Sequence, residues 1–106
     1  MTDGAAMKVT HLVDRERFRA EVDIDGVATE VGYLDYTRDP GHTDGDRLAL
    51  THTVIFDQFG GRGYAAQLVA DVLEQIQADG NKVVPVCSYV QSYLRKHPEY
   101  ADLVAS

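Results

Sequence analysis

The chain has 106 residues, enough for one folded domain but too few for separate cofactor and substrate domains. Its 44% hydrophobic and 25% charged residues are typical of a soluble globular protein, and no apolar run approaches the roughly 20 residues of a membrane helix. The formal net charge of −7 opposes nonspecific binding to nucleic acid and to anionic membranes. We therefore expect one domain over residues 1–106, with neither kind of partner.

The N-terminal residues and the cysteine count indicate where in the cell the protein is expected. MTDGAAMKV lacks the basic flank and apolar core of a secretory leader, and we expect residues 1–6 to be disordered. Cys87 is the only cysteine, so it forms no internal disulfide, and a reducing compartment is expected. The sequence predicts a cytoplasmic protein, a monomer or a weak homodimer. Its four histidines and one cysteine show no metal-ligand spacing, and we expect no metal.

Four segments of the first half alternate between polar and apolar residues, as half-exposed strands do: residues 8–13, 17–24, 27–36 and 47–56. Asp25-Gly26 separates the second segment from the third and favours a two-residue hairpin turn. Residues 37–46 are rich in Pro, Gly, Asp and Thr, which predicts a mobile loop. In the fourth segment the pattern puts His52 on the same face as Leu50 and Val54. An antiparallel meander is predicted.

The second half predicts a β-α-β unit followed by a helix. After the glycines at 60–63, an apolar stripe with helical spacing comprises Tyr64, Ala65, Leu68, Val69, Val72, Leu73 and Ile76. Gly80 ends this helix, and residues 83–86 form a nearly all-apolar strand of the kind buried in a parallel pair. Residues 88–97 again have helical spacing, which Pro98 ends before a short terminal turn. The fold class is therefore α/β (α+β), with a mixed sheet.

The loop between the fourth strand and the first helix has the composition of an anion site. Three glycines in four residues leave backbone N–H groups uncovered, and the helix start adds unpaired donors and a positive dipole end. Because the net charge repels a phosphorylated ligand at long range, local cations are needed, and Arg62, Arg95 and Lys96 are candidates. The alternative is a glycine-rich connection that binds nothing.

These elements and two motifs resemble the GNAT superfamily of acyl-CoA-dependent N-acyltransferases. The signature Arg/Gln-x-x-Gly-x-Gly/Ala matches Gly60-Gly61-Arg62-Gly63-Tyr64-Ala65, although Gly60 replaces the usual Arg or Gln; a second register would begin at Gln58. The stretch KVVPVCSYV at 82–90 and HPEY at 97–100 resemble the small, single-domain members. The resemblance runs from about residue 18 to residue 104. Those members lack the N-terminal helices that form much of the acceptor site in larger enzymes.

The resemblance implies acetyl-CoA as the ligand and a position for it. Its pantetheine arm would pair with the backbone of Val54 and Ile55 in a gap between the fourth and fifth strands. Its pyrophosphate would lie on the amides of Gly60, Gly61, Arg62, Gly63, Tyr64 and Ala65. The residues alone indicate an anion site at the same place, and the family identifies the anion.

Three side chains are candidates for catalysis. Cys87 precedes a helix start, which favours thiolate and so a nucleophile or acyl carrier, while its other interpretation is a small buried hydrophobe. His52 is a candidate general base, or a strand histidine bonded to a neighbour. Tyr93 is a core aromatic by its spacing, and the resemblance implies a general acid to the departing CoA thiolate.

The sequence thus favours an acetyl-CoA-dependent N-acetyltransferase, acting on an amine by direct attack or through acetyl-Cys87. Two alternatives stay open. The chain could be a CoA-binding sensor or regulatory module without transfer activity, or a purely structural domain with an empty loop.

Overall fold

The computed structural model describes residues 6–105. The disorder expected over residues 1–6 therefore lies, except for Ala6, outside the described part. Five strands and two α-helices follow one another in the order β1 (Met7–Leu12), β2 (Arg17–Ile24), β3 (Val27–Asp39), β4 (Arg47–Ile55), α1 (Tyr64–Ala78), β5 (Lys82–Pro85) and α2 (Ser88–Lys96). Short 3-10 turns cover Val13–Arg15, Asp57–Phe59 and Pro98–Leu103. Every strand and helix that the sequence predicts is present.

The five strands form one sheet in the order β1-β2-β3-β4-β5. The first four are antiparallel to their neighbours, whereas β5 is parallel to β4, as a β-α-β crossover requires. Asp25 and Gly26 both adopt positive φ, of 53° and 80°, which is the geometry of the two-residue type I′ turn. The mixed sheet and its helices confirm the predicted α+β fold class.

The helices and the buried core lie on one face of the sheet. The buried residues form one cluster, to which β2, β3, β4 and β5 contribute Phe18, Leu34, Leu50 and Val83. From α1 come the apolar residues predicted by its stripe: Tyr64, Leu68, Val69, Val72, Leu73 and Ile76. Because Val90 of α2 belongs to the same cluster and α2 contacts α1, both helices cover the same face. We call this the helix face, and the other the open face.

The alternation predicted for the fourth strand is wrong at one point. The register pairs Tyr36 with Leu50 but Asp35 with His52, so β4 has an extra residue between the two pairs. This β-bulge reverses which side chains face the core. Leu50 is therefore fully buried and His52 is exposed, instead of sharing a face.

The loop predicted at 37–46 is shorter in the structure. Thr37, Arg38 and Asp39 continue β3 and pair with residues 47–49 of β4. The Arg38 guanidinium donates to Asp46 at 2.6 Å across the base of the loop, while the Arg38 N–H donates to Glu16. Strand pairing and these charges therefore outweigh the turn-forming composition.

The ends of α1 and β5 are fixed locally. Gly80 has φ of 77° and the N–H of Asn81 donates to the carbonyl of Ile76, which confirms the predicted left-handed stop. Beyond α2, the chain returns to the outer edge of β5, where Val83 forms a parallel bridge with Val104 and Ala105 donates to the Val83 carbonyl. No helix formed by residues 6–105 is long and apolar enough to span a bilayer.

Candidate functional site

β4 and β5 separate halfway along β4. Their pairing covers Arg47–Leu50 of β4, and the carbonyl of Leu50 accepts hydrogen bonds from both Val86 and Cys87, at 3.1 and 2.8 Å. There β5 ends and α2 begins, while β4 continues to Ile55. Within residues 6–105, no strand pairs with this last part of β4 on the β5 side. A gap therefore opens beside Val54 and Ile55.

The glycine loop follows the same end of β4. After the 3-10 turn at Asp57–Phe59, Gly61 and Gly63 adopt positive φ of 77° and 80°, and Gly63 is the N-cap of α1. A Cβ added at either glycine would meet no atom within 4 Å. No side chain among the described residues caps this helix, so its first N–H groups have no side-chain acceptor. In the motif register that begins at Gln58, Gly61 and Gly63 occupy the two small-residue positions. In the register that begins at Gly60, Gly63 and Ala65 occupy them. The structure is compatible with both registers.

The cations expected near the loop are exposed. Arg62 lies in the loop itself, and Arg95 and Lys96 lie in the last turn of α2. None of the three forms an ion pair with another residue of the described part. Each guanidinium or ammonium is therefore free to contact a ligand.

Cys87 lies where the two strands separate, as the N-cap residue of α2. It is partly buried against the core, and its thiol Sγ lies 3.6 Å from Oγ1 of Thr53 on β4. Burial raises the pKa of the thiol, but hydrogen bonds from the backbone of Val90, from the Thr53 hydroxyl and from the backbone of Tyr89 outweigh it. The pKa of Cys87 is lowered as a result, which favours the nucleophilic thiolate.

His52 and Cys87 lie on opposite faces of the sheet. Thr53 pairs with the buried Leu34, so the Thr53 side chain and the Cys87 thiol that it contacts are on the helix face. His52 pairs with Asp35 and shares the open face with it. Its Nδ1 atom lies 3.2 Å from Oγ1 of Thr51, and the imidazole is exposed. A base at His52 and a nucleophile at Cys87 would therefore approach the gap from different sides.

A charged cluster lies beside His52 on the open face. The Arg17 guanidinium donates two hydrogen bonds to Asp35, at 2.6 and 3.1 Å, and its Cζ lies 3.7 Å from the centre of the Tyr33 ring. The register aligns Arg17, Asp35 and His52 across β2, β3 and β4. No local pattern indicates this row, because its residues are far apart in the chain and meet only through the strand register.

Tyr93 lies on α2, away from the point where the strands separate. Its ring stacks on His97 with centroids 4.0 Å apart, and burial followed by the nearby Glu99 carboxylate raises its pKa. Tyr93 also lines a cavity that reaches Ala66 in the first turn of α1. Tyr93 follows Cys87 by six positions, which is roughly 9 Å along the helix axis. Its predicted role as a general acid stays a prediction.

Thr53 is the site residue that sequence reasoning missed. The alternation pattern assigned it to the face opposite Leu50 and Val54, and only the bulge turns it toward Cys87. A threonine in a strand gives no signal of its own, because β-branched residues are common there.

Within residues 6–105, no group of three His, Cys, Asp or Glu side chains is placed so that it could bind a metal ion.

A family model described as GCN5-related N-acetyl-transferase matches residues 17–103. The chain therefore belongs to the GCN5-related N-acetyltransferase family, and the resemblance noted from its motifs is confirmed. The match includes the glycine loop, the gap between β4 and β5, and Cys87. A search of curated proteins found no match to the sequence.

Solved structures share the fold. A ribosomal-protein-alanine N-acetyltransferase from Brucella melitensis biovar Abortus 2308 has a TM-score of 0.53 and 22% identity, over 90% of this chain and 67% of that one. An acetyltransferase from Trypanosoma brucei has a TM-score of 0.54 and 19% identity, over 88% and 64%. A predicted acetyltransferase with acetyl-CoA from Clostridium acetobutylicum has a TM-score of 0.52 and 13% identity, over 82% and 60%. The chain thus spans about two thirds of the length of these proteins.

Proposed function

We propose that this protein binds acetyl-CoA and transfers the acetyl group to an amine. The observation that carries the proposal is the gap where β4 continues past β5, with the glycine loop at one end and the Cys87 thiol beside it. Family membership supports the reaction type.

The residues around the gap fit this donor. The side of β4 that faces away from β3 is unpaired at Val54 and Ile55, and its backbone groups would meet an extended amide chain as a strand edge does, although the Val54 carbonyl itself lies against Gly32 of β3. The uncovered space over Gly61 and Gly63 lets phosphate oxygens approach the amides at the start of α1. Arg62 adds a positive charge at the same turn. Acetyl-CoA would supply an activated thioester, and the protein would supply position, proton transfer and charge stabilisation.

In direct transfer, His52 would accept the proton of the attacking amine. An amine must be neutral to attack the thioester carbonyl, and the unprotonated ring nitrogen of a histidine can accept its proton. His52 is exposed on the open face, so an acceptor approaching from that side would meet it. A backbone amide near Val54 or Ile55 would stabilise the developing oxyanion. Tyr93, whose pKa is raised, would hold its proton until the CoA thiolate departs.

The variant route uses Cys87 as an acyl carrier. The Cys87 thiolate would attack the carbonyl carbon of the acetyl group, forming a new thioester as the bond to the CoA sulfur breaks, and the CoA thiolate would then take up a proton. The amine would attack acetyl-Cys87 in a second step, losing one proton and returning the thiolate. The lowered pKa of Cys87 favours this nucleophile.

A CoA sensor without transfer activity remains the second candidate. The observation that favours it is the open face, where the residues next to His52 are half-exposed and no helix formed by residues 6–105 covers them. Such a protein would bind the donor through the gap and the loop, but it would not hold an acceptor.

Calorimetry with acetyl-CoA, followed by an intact mass, tests these alternatives. Wild type and Cys87→Ala are compared in parallel. Binding with an added acetyl group that disappears in Cys87→Ala supports the acyl carrier, whereas binding without it supports direct transfer or sensing. A screen of amines for release of free CoA thiol then separates those two. No binding at all would overturn the proposed function.

A paired substitution tests the glycine loop. Arg62→Ala should weaken acetyl-CoA binding about fivefold, the scale of an exposed charge contact. Arg15→Ala serves as the matched control, because Arg15 is also an exposed arginine but lies in the turn between β1 and β2. Equal affinities for the two variants would contradict a pyrophosphate site at this loop.

A further inference from the structure

Thr51 is the extra residue of the β-bulge in β4. The register passes from Leu50, which pairs with Tyr36, to His52, which pairs with Asp35, so Thr51 has no partner of its own on β3. In a regular strand, successive side chains point to opposite faces of the sheet and do not meet. A bulge interrupts this alternation and can turn a side chain in a new direction. Here it brings Oγ1 of Thr51 within 3.2 Å of Nδ1 of His52.

The hydrogen bonds of the Thr51 hydroxyl determine which atom carries hydrogen in this contact. The hydroxyl oxygen also lies 3.1 Å from the backbone carbonyl oxygen of Asp35. Because a carbonyl oxygen can only accept, the hydroxyl donates its single hydrogen there. Toward His52 it has only lone pairs left, so Nδ1 is the donor. A neutral imidazole has one N–H, and the ring of His52 is therefore the Nδ1–H tautomer.

The Asp35 carboxylate does not compete for the His52 ring. It stands directly opposite His52 in the register, where an acidic side chain could accept from an imidazole. Each of its two oxygens instead accepts from the Arg17 guanidinium, at 2.6 and 3.1 Å. Among the described residues, Thr51 is the group that hydrogen-bonds to the His52 side chain. The orientation and tautomer of the ring thus depend on Thr51.

The tautomer decides which ring nitrogen can act as a base. Only the nitrogen without hydrogen has a lone pair to accept a proton, and the hydrogen bonds of the ring select that nitrogen. A free neutral histidine in water favours the Nε2–H form, whose lone pair is on Nδ1. In this protein Nδ1 lies against Thr51, whereas no group within residues 6–105 hydrogen-bonds to Nε2. The Nδ1–H form therefore places the lone pair on the nitrogen that an acceptor can reach.

We propose that Thr51 is a positioning residue that holds neutral His52 as the Nδ1–H tautomer, so that Nε2 takes the proton of the acceptor amine. The amine nitrogen forms its bond to the acetyl carbon, the bond from that carbon to the CoA sulfur breaks, and the amine proton moves to Nε2. The ring then returns this proton to solvent. The inference rests on the proposed function, because it needs transfer to an amine from the open face.

A long-range ¹H–¹⁵N correlation spectrum of the His52 ring tests the tautomer directly. The spectrum is recorded at about pH 9, well above the pKa of free histidine, and His52→Gln identifies the His52 signals by their loss. Wild type should show hydrogen on Nδ1 and none on Nε2. Thr51→Val keeps the shape but cannot accept a hydrogen bond, so the tautomer ratio should shift about fivefold toward Nε2–H. Thr51→Ser should restore the wild-type spectrum.

Transfer kinetics test the use of this nitrogen. With an amine found in the screen for CoA release, Thr51→Val should lower kcat about fivefold and leave the KM for acetyl-CoA unchanged, and Thr51→Ser should recover kcat. Thr29→Val is the matched control, because Thr29 is another half-buried strand threonine whose hydroxyl donates to a backbone carbonyl, that of Val27. It should keep the wild-type spectrum and kcat. Thermal unfolding followed by circular dichroism checks that each variant is folded.

The outcomes separate this inference from the proposed function. Hydrogen on Nε2 in wild type overturns the inference even if acetyl transfer is observed, and this result needs no variant to fold. A folded Thr51→Val that keeps the wild-type tautomer ratio also overturns it, as does one with the shifted ratio and normal kcat. If no amine accepts the acetyl group, the proposed function fails, and the role of Nε2 as the base fails with it whatever the spectrum shows.

Discussion

At the scale of single residues, the contact between Cys87 and Thr53 sets the reactivity of the candidate nucleophile. The Thr53 hydroxyl is one of the groups that lower the pKa of the thiol against the effect of burial. Hydrogen bonds to the charged form stabilise thiolate, and thiolate is the species that reacts with alkylating agents. The nucleophile is thus controlled from the neighbouring strand as well as from the start of α2.

Replacing Thr53 by valine should raise the pKa of Cys87. Valine has nearly the same shape but cannot donate a hydrogen bond to sulfur, so the thiolate loses one stabilising partner. The pH dependence of iodoacetamide labelling, followed by intact mass, should shift to higher pH. Thr53→Ser keeps the hydroxyl and should behave like wild type. An unchanged profile in Thr53→Val would show that the backbone groups alone set the pKa.

Replacing His52 by glutamine should separate the two routes of transfer. Because His52 lies on the open face and Cys87 on the helix face, His52→Gln should leave the iodoacetamide profile of Cys87 unchanged. If His52 is the base, transfer to an amine falls by about a hundredfold or more, as expected for loss of general-base catalysis. Normal transfer in His52→Gln would rule out this histidine as the base.

At the scale of elements, the approach of β3 to β4 fixes the candidate gap. The carbonyl oxygen of Val54 lies where a Cβ on Gly32 would be, and the Ile55 side chain is also adjacent. Gly32 is buried and pairs with Ile55. A side chain at this position would therefore push away the part of β4 that lines the gap.

Gly32→Ala should destabilise the protein by about 2–3 kcal/mol, since overpacking forces the backbone to move. Urea unfolding measures the change. Gly41→Ala is the control: its φ of 93° costs an alanine about 1–2 kcal/mol, but nothing lies within 4 Å of the new Cβ. Gly32→Ala should also weaken acetyl-CoA binding, whereas Gly41→Ala should not. If both variants bind acetyl-CoA equally well, the gap beside β4 is not part of the binding site.

The elements themselves could be predicted from the sequence to a large extent. Periodicity identified the strands and helices, and Gly80 marked the end of α1, because these signals are local. The bulge near His52 could not be predicted, because it arises from the pairing of β3 with β4. Local patterns predicted that the glycine loop precedes α1 and that Cys87 precedes α2. The contact of Thr53 with Cys87 and the Arg17–Asp35–His52 row depend on strand pairing, so local patterns could not predict them.

At the scale of the whole molecule, a partly buried histidine links stability to pH. His11 on β1 stacks on Phe18 with centroids 4.1 Å apart, and its Nε2 lies 2.6 Å from the Tyr36 hydroxyl. Burial, followed by the positive charge of Arg38, lowers the pKa of His11, although Asp79 acts in the opposite direction. The folded state therefore disfavours protonated His11, whose pKa in the unfolded chain is about 6.5.

The stability that depends on neutral His11 should be fully present above about pH 6.5 and should be lost as the pH falls below it, because the unfolded chain then binds the proton more tightly. Urea unfolding from neutral pH to about pH 5 measures this loss. His11→Gln should show a shallower dependence than wild type. Asp71, whose pKa burial raises, contributes equally to both proteins. Parallel curves for wild type and His11→Gln would contradict the assignment.

The segment at Val104 and Ala105, which returns to the outer edge of β5, limits self-association through that edge. An open sheet edge presents unpaired N–H and C=O groups that can recruit strands from other molecules. Here Val104 and Ala105 already occupy the outer side of Val83, and the next outward-facing nitrogen belongs to Pro85, which has no hydrogen to donate. A foreign strand therefore finds no continuous ladder to extend, and aggregation by strand addition is blocked at this margin of the sheet.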